Sequence, residues 1–287
     1  MYGDSARAIL HPTDFSEASQ LAFAHALAVA VANQANLTIM HVTSDPENVV
    51  PWHEFPSVRK TLESWGYLEP GSARHDVSKK LGVRVQKTVG VGDNVVTGIL
   101  KFLEVNLIDM IVLATEEEAG VPGWLRTQVA VPVAEKSHKP TLFVRSGAKR
   151  SSIDPRTGDS SLNHVLVPVD HQPDSAPVMN RVMQAMHQFG GNDANVTLLY
   201  VGPEERFPQI DLPNKGNFKW IRRSVDSGNP AKAIVDIADE IAADLIAMVT
   251  EGRQGLLDVL RGSTSQQVLR RAPCPLFTLP AAHVGRN

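Results

Sequence analysis

The sequence of 287 residues contains a single cysteine, Cys274. One thiol cannot form an internal disulfide bond, and it excludes the cysteine-rich sites that hold a zinc ribbon or an iron–sulfur cluster. Disulfide bonds belong to oxidising compartments, so cysteine usage favours a reducing one, and we expect the protein in the cytoplasm. Because the thiol lies between Pro273 and Pro275, we expect it to be packed at the start of a strand rather than reactive.

Neither positive nor negative charge is in large excess. Lysine and arginine total 28 and aspartate and glutamate total 31, which gives a formal net charge of −3. The strongly basic footprint of a nucleic-acid-binding protein is absent, so we expect no nucleic-acid partner. The ten histidines are scattered, without a His-x3-His pair or a His-Glu-x2-His motif, and we expect no metal site.

No early apolar run is long enough to cross a bilayer, which needs about 20 residues. The most apolar early stretch, from Leu21 to Val31, is interrupted by His25 and ends at Asn33. The first five residues do not form a basic segment followed by an apolar one, so no secretory signal is recognised. We therefore expect a soluble protein with no membrane partner.

Common catalytic motifs are missing as well. The sequence has no Gly-x4-Gly-Lys-Ser/Thr phosphate loop and no Gly-x-Ser-x-Gly nucleophile elbow. Residues 90–95 contain two glycines of a dinucleotide fingerprint, but Val95 stands where the third belongs. We interpret that segment as a strand-to-helix turn, and we expect no enzyme.

An internal repeat is what the sequence does contain. Four short segments recur in the same order in each half of the chain. The matched segments are 8–14 with 165–170, 39–42 with 198–201, 92–95 with 228–231, and 139–144 with 274–279. A typical domain has about 150 residues, so the length also predicts two domains. We place them at residues 1–147 and 160–283, joined by a flexible linker, 146–163, that is rich in Ser, Gly, Asp and Pro.

Each half alternates short apolar runs with segments of helical periodicity, which predicts a parallel α/β sheet with helices on both faces. The strands expected after the first are 37–42, 83–89, 110–114 and 141–144, then 196–201, 220–225, 245–249 and 276–279. The expected helices are 18–32, 95–105 and 129–136, then 176–189, 231–242 and 264–271. The first half has an insertion, 51–80, that predicts one or two helices, whereas 202–217 predicts a loop. Trp52, His53 and Phe55 in this insertion either pack locally or form an apolar cavity or a partner surface.

In the order and spacing of these segments, the chain resembles a tandem universal stress protein. His11 to Ser16 resemble the opening strand and turn of that family, and residues 228–231 and 262–275 resemble its later part. The resemblance implies that each half is a doubly wound, five-stranded parallel sheet, like that of the adenine nucleotide alpha hydrolases. It also implies that the final strands pair, so that the halves form an internal pseudo-dimer. Whether two chains associate into a homodimer is left open.

The family resemblance also implies two subclasses, one that binds ATP through a Gly-x2-Gly-x9-Gly-Ser/Thr pattern and one that does not. The second half has Gly252 and, after nine residues, Gly262 and Ser263, but Val249 stands at the first glycine position. A Gly-Ser pair opening a helix presents free N–H groups and the positive end of the helix dipole to a phosphate. Thr264 adds a further hydroxyl. The implied ligand is ATP or another adenine nucleotide, with Mg²⁺.

Two more residues of the second half match the family pattern. Asp170 corresponds to the aspartate that is implied to contact the adenosine, and Val201 corresponds to a backbone position implied to contact the base. The alternatives are that Asp170 closes its own turn and that Ser263 is simply a helix N-cap. Val249 puts a branched side chain where it crowds a ligand and excludes glycine-only backbone angles, so two functions stay open. One is a nucleotide-responsive stress protein with at most slow ATP hydrolysis, and the other is a scaffold that recognises a protein partner or an apolar small molecule.

The first half keeps Asp14 and Val42 but loses the phosphate pattern. Its four corresponding positions are Ala114, Glu117, Thr127 and Gln128. Carboxylates at 116–118 stand where phosphates would lie, and two like charges about 4 Å apart repel by about 1 kcal/mol in water and about 4 kcal/mol near a protein surface. We therefore expect the first half to bind no ATP and to act as a structural partner of the second half.

Overall fold

The chain forms two compact units in a computed structural model that describes residues 8–45, 47, 50–116, 127–171, 175–189, 193–212, 217–250 and 264–280. The first unit comprises residues up to 139 together with 143–146 and 153–160. The second comprises 140–142, 147–152 and the residues from 161 onward. Residues of the predicted linker thus belong partly to each unit.

The first unit is a sheet with strand order β3-β2-β1-β4-β5, in which the pairings of β1 with β2, β1 with β4 and β2 with β3 are parallel. Its strands are β1 (Ala8–Pro12), β2 (Asn36–Thr43), β3 (Arg84–Val91), β4 (Met110–Thr115) and β5 (Thr141–Arg145). Its helices are α1 (Glu17–Asn33), α2 (Val58–Ser64), α3 (Asp76–Leu81), α4 (Val95–Val105) and α5 (Thr127–Ser137). The insertion therefore contains the two short helices that its sequence predicts, α2 and α3.

The core of the first unit lies on the central strands. Leu10 of β1 and Val112 of β4 are fully buried, as the continuous apolar runs of a sheet covered on both faces require. Residues 22–30 of α1 are all buried, which is typical of a helix that is apolar on every side. The helix begins at Ser16, whose side chain caps it by accepting a hydrogen bond from the Ser19 N–H.

The second unit repeats this arrangement, with strand order β10-β9-β6-β7-β8 and parallel pairing throughout the described register. Its strands are β6 (His164–Val169), β7 (Asn195–Val201), β8 (Lys219–Val225), β9 (Leu245–Thr250) and β10 (Leu276–Pro280). Its helices are α6 (Ser175–Gln188), α7 (Pro230–Glu240) and α8 (Thr264–Arg271). In the described part of 202–217 there is one short 3-10 turn, Glu204–Arg206, so the predicted loop is confirmed there.

The predicted fold class is confirmed, but the linker is more ordered than its composition suggests. Ile153 and Ser160 form an isolated antiparallel bridge, and Ile153 is buried. The indole Nε1 of Trp65 donates a hydrogen bond to the carbonyl of Pro155, at 3.0 Å. Polar and turn-forming residues favour a loop, but a large aromatic side chain from the insertion holds this loop against the first unit.

Candidate functional site in the second unit

The carboxyl ends of two neighbouring strands bring two of the sequence-predicted residues, Asp170 and Val201, to one edge of the second sheet. Val169 of β6 is in register with Tyr200 of β7, so Asp170 and Val201 follow at adjacent strand ends. Strand β9 lies on the other side of β6, where the strand order reverses. Ligands of open α/β sheets bind at such a reversal, outside the carboxyl ends of the strands.

Asp170 is exposed immediately after β6. Its Oδ1 accepts a hydrogen bond from the N–H of His171, at 2.7 Å. The carboxylate is therefore used partly within its own turn, and it makes no other hydrogen bond with the residues that the structure describes. Its second oxygen can accept a hydrogen bond from a ligand hydroxyl.

Val201 ends β7 and lies opposite Val225 of β8. The next residue, Gly202, donates its N–H to the Val225 carbonyl, at 2.9 Å. A Cβ at Gly202 would lie 2.7 Å from the Tyr200 ring, so the close approach of backbone to ring requires glycine here. The Tyr200 ring in turn lies 5.7 Å from the His171 ring, next to Asp170.

The first turn of helix α8, which contains Thr264 and Ser265, lies at the same carboxyl edge of the sheet. Because β9 and β10 are parallel neighbours, the helix that connects them runs back along the sheet and begins at its carboxyl edge. Thr264 is the first residue of α8, and Ser265 is fully buried. The Ser265 hydroxyl has no hydrogen-bond partner among the described residues. An unsatisfied buried hydroxyl costs about 1–3 kcal/mol, so this position favours a partner.

Sequence reasoning did not single out Ser265. The available signal was its place one residue beyond Thr264, in the turn whose free N–H groups attract anions. The predicted phosphate-binding residues Gly252, Gly262 and Ser263 lie outside the described residues.

Val249 is the next-to-last residue of β9 and pairs with Leu279 of β10. It has ordinary strand conformation and is not among the residues with positive φ. The backbone at this position therefore does not require glycine. What remains of the argument against a ligand is the bulk of the half-buried valine side chain.

Asp14, the counterpart of Asp170 in the first unit, makes different hydrogen bonds. Oδ1 of Asp14 accepts hydrogen bonds from both the N–H and the hydroxyl of Ser16, at 3.0 and 2.6 Å. The carboxylate of Asp14 thus closes its own turn, the role that the sequence analysis left open for Asp170. Val42, the counterpart of Val201, is buried at the end of β2.

An aromatic cluster lies at this edge of the first sheet and consists of Phe15, Phe23, His41, Trp52 and Phe55. The ring of Phe15 lies 4.8 Å from that of His41 and 5.3 Å from that of Trp52. The rings of Phe23 and Phe55 lie 4.9 Å apart. Trp52 and Phe55 therefore pack locally, and their insertion occupies the region beside Asp14 with protein side chains.

Three of the four positions that replace the phosphate pattern in the first unit lie within the described residues. Ala114 is fully buried in β4, and Thr127 and Gln128 open α5. Glu117 lies outside the described residues, and Glu116 is half-buried after β4.

In the first unit, a chain of buried hydrogen bonds joins His11 of β1 to the turn that follows this strand. The Nδ1–H of His11 donates to the Val112 carbonyl, at 3.1 Å, so its Nε2 accepts from the Ser19 hydroxyl, at 3.4 Å. The Thr13 hydroxyl then donates to Ser19 Oγ, at 2.6 Å, and accepts from the Phe15 N–H, at 3.1 Å. Burial lowers the pKa of His11 from 6.5 to about 4, which keeps the imidazole neutral and the chain of donors consistent.

The described residues contain no group of three or more His, Cys, Asp or Glu side chains arranged to hold a metal ion. Within the same part of the chain, no helix is both long and apolar enough to cross a membrane. Cys274 is buried, and burial raises the pKa of its thiol to about 12, as expected for a packed cysteine.

Strand order, parallel pairing and alternating helices define two doubly wound α/β units. The sequence profile of the universal stress protein family matches residues 6–145 and 215–280. The chain belongs to the universal stress protein family.

Individual relatives agree with this assignment. The universal stress protein MJ0531 of Methanocaldococcus jannaschii is 26% identical over an alignment 150 residues long, which covers 43% of this chain and 85% of that protein. A universal stress protein from Archaeoglobus fulgidus has a similar structure, with a TM-score of 0.60 at 19% identity, over 96% of this chain and 99% of its own. A putative universal stress protein from Pseudomonas aeruginosa has a TM-score of 0.55 at 13% identity, over 98% and 96%. Because the sequence identities are this low, the similarity of these two structures to the chain shows a shared fold.

Proposed function

We propose that this universal stress protein has a regulatory role in the stress response and binds an adenine nucleotide at the carboxyl edge of its second unit. The observation that carries the proposal is the buried Ser265 hydroxyl, which lacks a partner among the described residues in the first turn of α8. A phosphate oxygen satisfies such a hydroxyl, and the first N–H groups of a helix in general also donate to anions.

Each predicted residue has a role in this site. Asp170 would accept a hydrogen bond from a ribose hydroxyl, and the backbone at Val201 would contact the base. The phosphates, with Mg²⁺ as part of the ligand, would be held by the N-terminal turn of α8 and the residues before it. These are Gly252, Gly262, Ser263 and Thr264. We propose at most slow ATP hydrolysis, since no general base stands at a recognisable spacing in the sequence.

The first unit would bind no nucleotide at its corresponding edge. Asp14 is engaged by Ser16, and the aromatic cluster occupies the space beside it. Its role would be to support the second unit through internal pairing and to contact a protein partner. The cytoplasm, as a reducing compartment, is the location proposed for a chain with one buried cysteine.

A second function is favoured by one observation, the half-buried side chain of Val249 at the end of β9. If this side chain fills the space of the phosphates, the protein is a scaffold for a protein partner or an apolar small molecule. The Val249→Gly variant separates the two functions. The scaffold is supported if the variant binds ATP and the wild type does not.

Calorimetric titration of the full chain with ATP and Mg²⁺ tests the nucleotide site. Ser263→Ala and Ser265→Ala should each weaken binding about tenfold, because hydrogen bonds to charged groups contribute about 1.5–3 kcal/mol, and Gly262→Val should abolish it. Ser152→Ala is the matched control, since this serine is also fully buried and its hydroxyl also lacks a partner among the described residues. Unchanged affinity in Gly262→Val and Ser263→Ala would discard the site.

The repeat provides a second matched pair. Asp170→Ala should weaken ATP binding, whereas Asp14→Ala should leave it unchanged because that carboxylate serves its own turn. Mass spectrometry of any small molecule released on denaturing freshly purified protein identifies a copurified nucleotide.

A further inference from the structure

A cleft of about 680 Å³ lies in the first unit, between the insertion and the beginning of β3. It is lined by the insertion, including residues of α2 and α3, and by residues 83–87 at the beginning of β3. Strand β3 is the first in the strand order of this unit and pairs with β2. Small-molecule sites typically measure about 300–1,000 Å³, so the cleft has the volume for an organic ligand.

The lining is cationic. It includes Arg59, Arg74, Arg84 and Lys87, and it contains no aspartate or glutamate. Arg59 has a partner outside the lining, because its Nε lies 3.6 Å from Oε1 of Glu63. The other three cations form no ion pair with a carboxylate in the part of the chain that the structure describes.

Lys87 is held in place by the aromatic wall of the cleft. Its Nζ lies 5.1 Å from the centre of the Trp52 ring and 5.2 Å from that of Phe55, which are cation–π distances. Burial, and then the charge of Arg74, lower the pKa of Lys87. Two cations that destabilise each other across a cleft are both stabilised when an anion binds between them.

We propose that this cleft binds a small organic anion, whose phosphate or carboxylate groups are held by Arg74, Arg84 and Lys87 and whose apolar part packs on Trp52. Arginine guanidinium groups suit both anions because their planar donors match two acceptor oxygens at once. The half-buried indole of Trp52 and the buried side chains of Val77 and Val83 supply the apolar surface.

The probes separate the anion from the apolar part. Calorimetric titration of the full chain would use 1-naphthyl phosphate, a naphthalene dicarboxylate, neutral 1-naphthol and inorganic phosphate. The variants are Arg74→Gln and Arg84→Gln, both at exposed positions, with Lys80→Gln as the matched control. Lys80 lies on α3 beside the cleft but does not line it, so its loss changes the net charge equally. Asp170→Ala shows whether a probe binds at the nucleotide edge instead.

We expect one saturable site for naphthyl phosphate or the dicarboxylate, and the tighter of the two identifies the anion. Affinity should fall about tenfold in Arg74→Gln and Arg84→Gln and stay unchanged in Lys80→Gln and Asp170→Ala. The proposal is overturned if neither anion saturates a site or if naphthol binds as tightly. It is equally overturned if inorganic phosphate alone binds, if Lys80→Gln weakens binding as much as Arg74→Gln, or if Asp170→Ala abolishes it.

Discussion

Trp65 and Pro155 are joined by a hydrogen bond from the indole N–H to the backbone carbonyl, across 90 residues of sequence. This contact attaches the segment 153–160 to the insertion of the first unit. The indole ring also lies against Gly158, whose φ is +74°. Glycine is therefore required at position 158 for two independent reasons. Its backbone is left-handed, and a side chain there would overlap the Trp65 ring.

Gly158→Ala should destabilise the protein more than Gly71→Ala does. A Cβ at Gly158 would lie 2.4 Å from the Trp65 ring, whereas at Gly71, with φ +81°, no atom lies within 4 Å. Both variants incur the cost of a left-handed alanine, about 1–2 kcal/mol. Only Gly158→Ala adds overpacking, about 1–3 kcal/mol. Urea unfolding measures the difference, and equal losses in both variants would show that the Trp65 contact is unimportant.

Stability should fall as the pH drops below 6.5. Burial lowers the pKa of both His11 and His25 from 6.5 to about 4. Between these values the unfolded chain binds protons that the folded chain does not, so stability is complete above pH 6.5 and is lost toward pH 4. The full loss is about 3 kcal/mol for each histidine.

Unfolding free energies at pH 7 and pH 5 test this pH dependence. His11→Asn should reduce the difference between the two values, whereas replacing the exposed His53 with Gln should not. An identical pH dependence in His11→Asn and the wild type would contradict the role of His11.

Arg150→Met should destabilise the second unit more than Lys149→Met, although both cations pair with Asp239. Arg150 also donates to the carbonyl of Ala238 in the last turn of α7, at 3.2 Å, and to that of Ala243 just beyond the helix, at 3.0 Å. Hydrogen bonds to these carbonyls are worth about 1 kcal/mol or more, whereas the exposed ion pair of Lys149 contributes about 0–1 kcal/mol. Thermal unfolding of the two variants measures the difference, and a larger loss in Lys149→Met would refute the assignment.

Cys274 should resist modification in the folded protein. Its thiol is buried, and desolvation raises its pKa to about 12, so very little thiolate exists at pH 8. Reaction with a disulfide reagent at pH 8 should be slow in buffer and fast in urea. Rapid modification of the native chain would mean that β10 opens locally.

The sequence predicts the fold well because strands and helices differ in period and in apolar content. The predicted helices 95–105 and 264–271 coincide with α4 and α8, and the strand bounds differ by one or two residues. The start of α4 can be predicted from the sequence because the Asn94 side chain caps this helix. Strand order was available only through the family resemblance, since local patterns carry no information about which strands are neighbours.

The candidate sites were predicted less completely. The pattern in the second half indicated Asp170 and Val201, and their strand ends do lie side by side. Ser265 was missed because burial without a partner is a property of packing. A cavity at Trp52, His53 and Phe55 was among the alternatives left open by the sequence, and these residues do line the cleft. Its cationic character was missed because Arg59 and Arg84 are far apart in sequence and lie on different elements.

The sequence by itself determined that the chain is a repeat of two α/β units, because periodicity, capping and apolar runs act over a few residues. Only the tertiary structure decided what surrounds the two equivalent aspartates. Trp52 and Phe55 of the insertion pack on Phe15, next to Asp14, while Asp170 remains exposed. The physical reason is that a side chain's partners are set by contacts between distant segments, whereas the type of element it stands on is set by its neighbours in the chain.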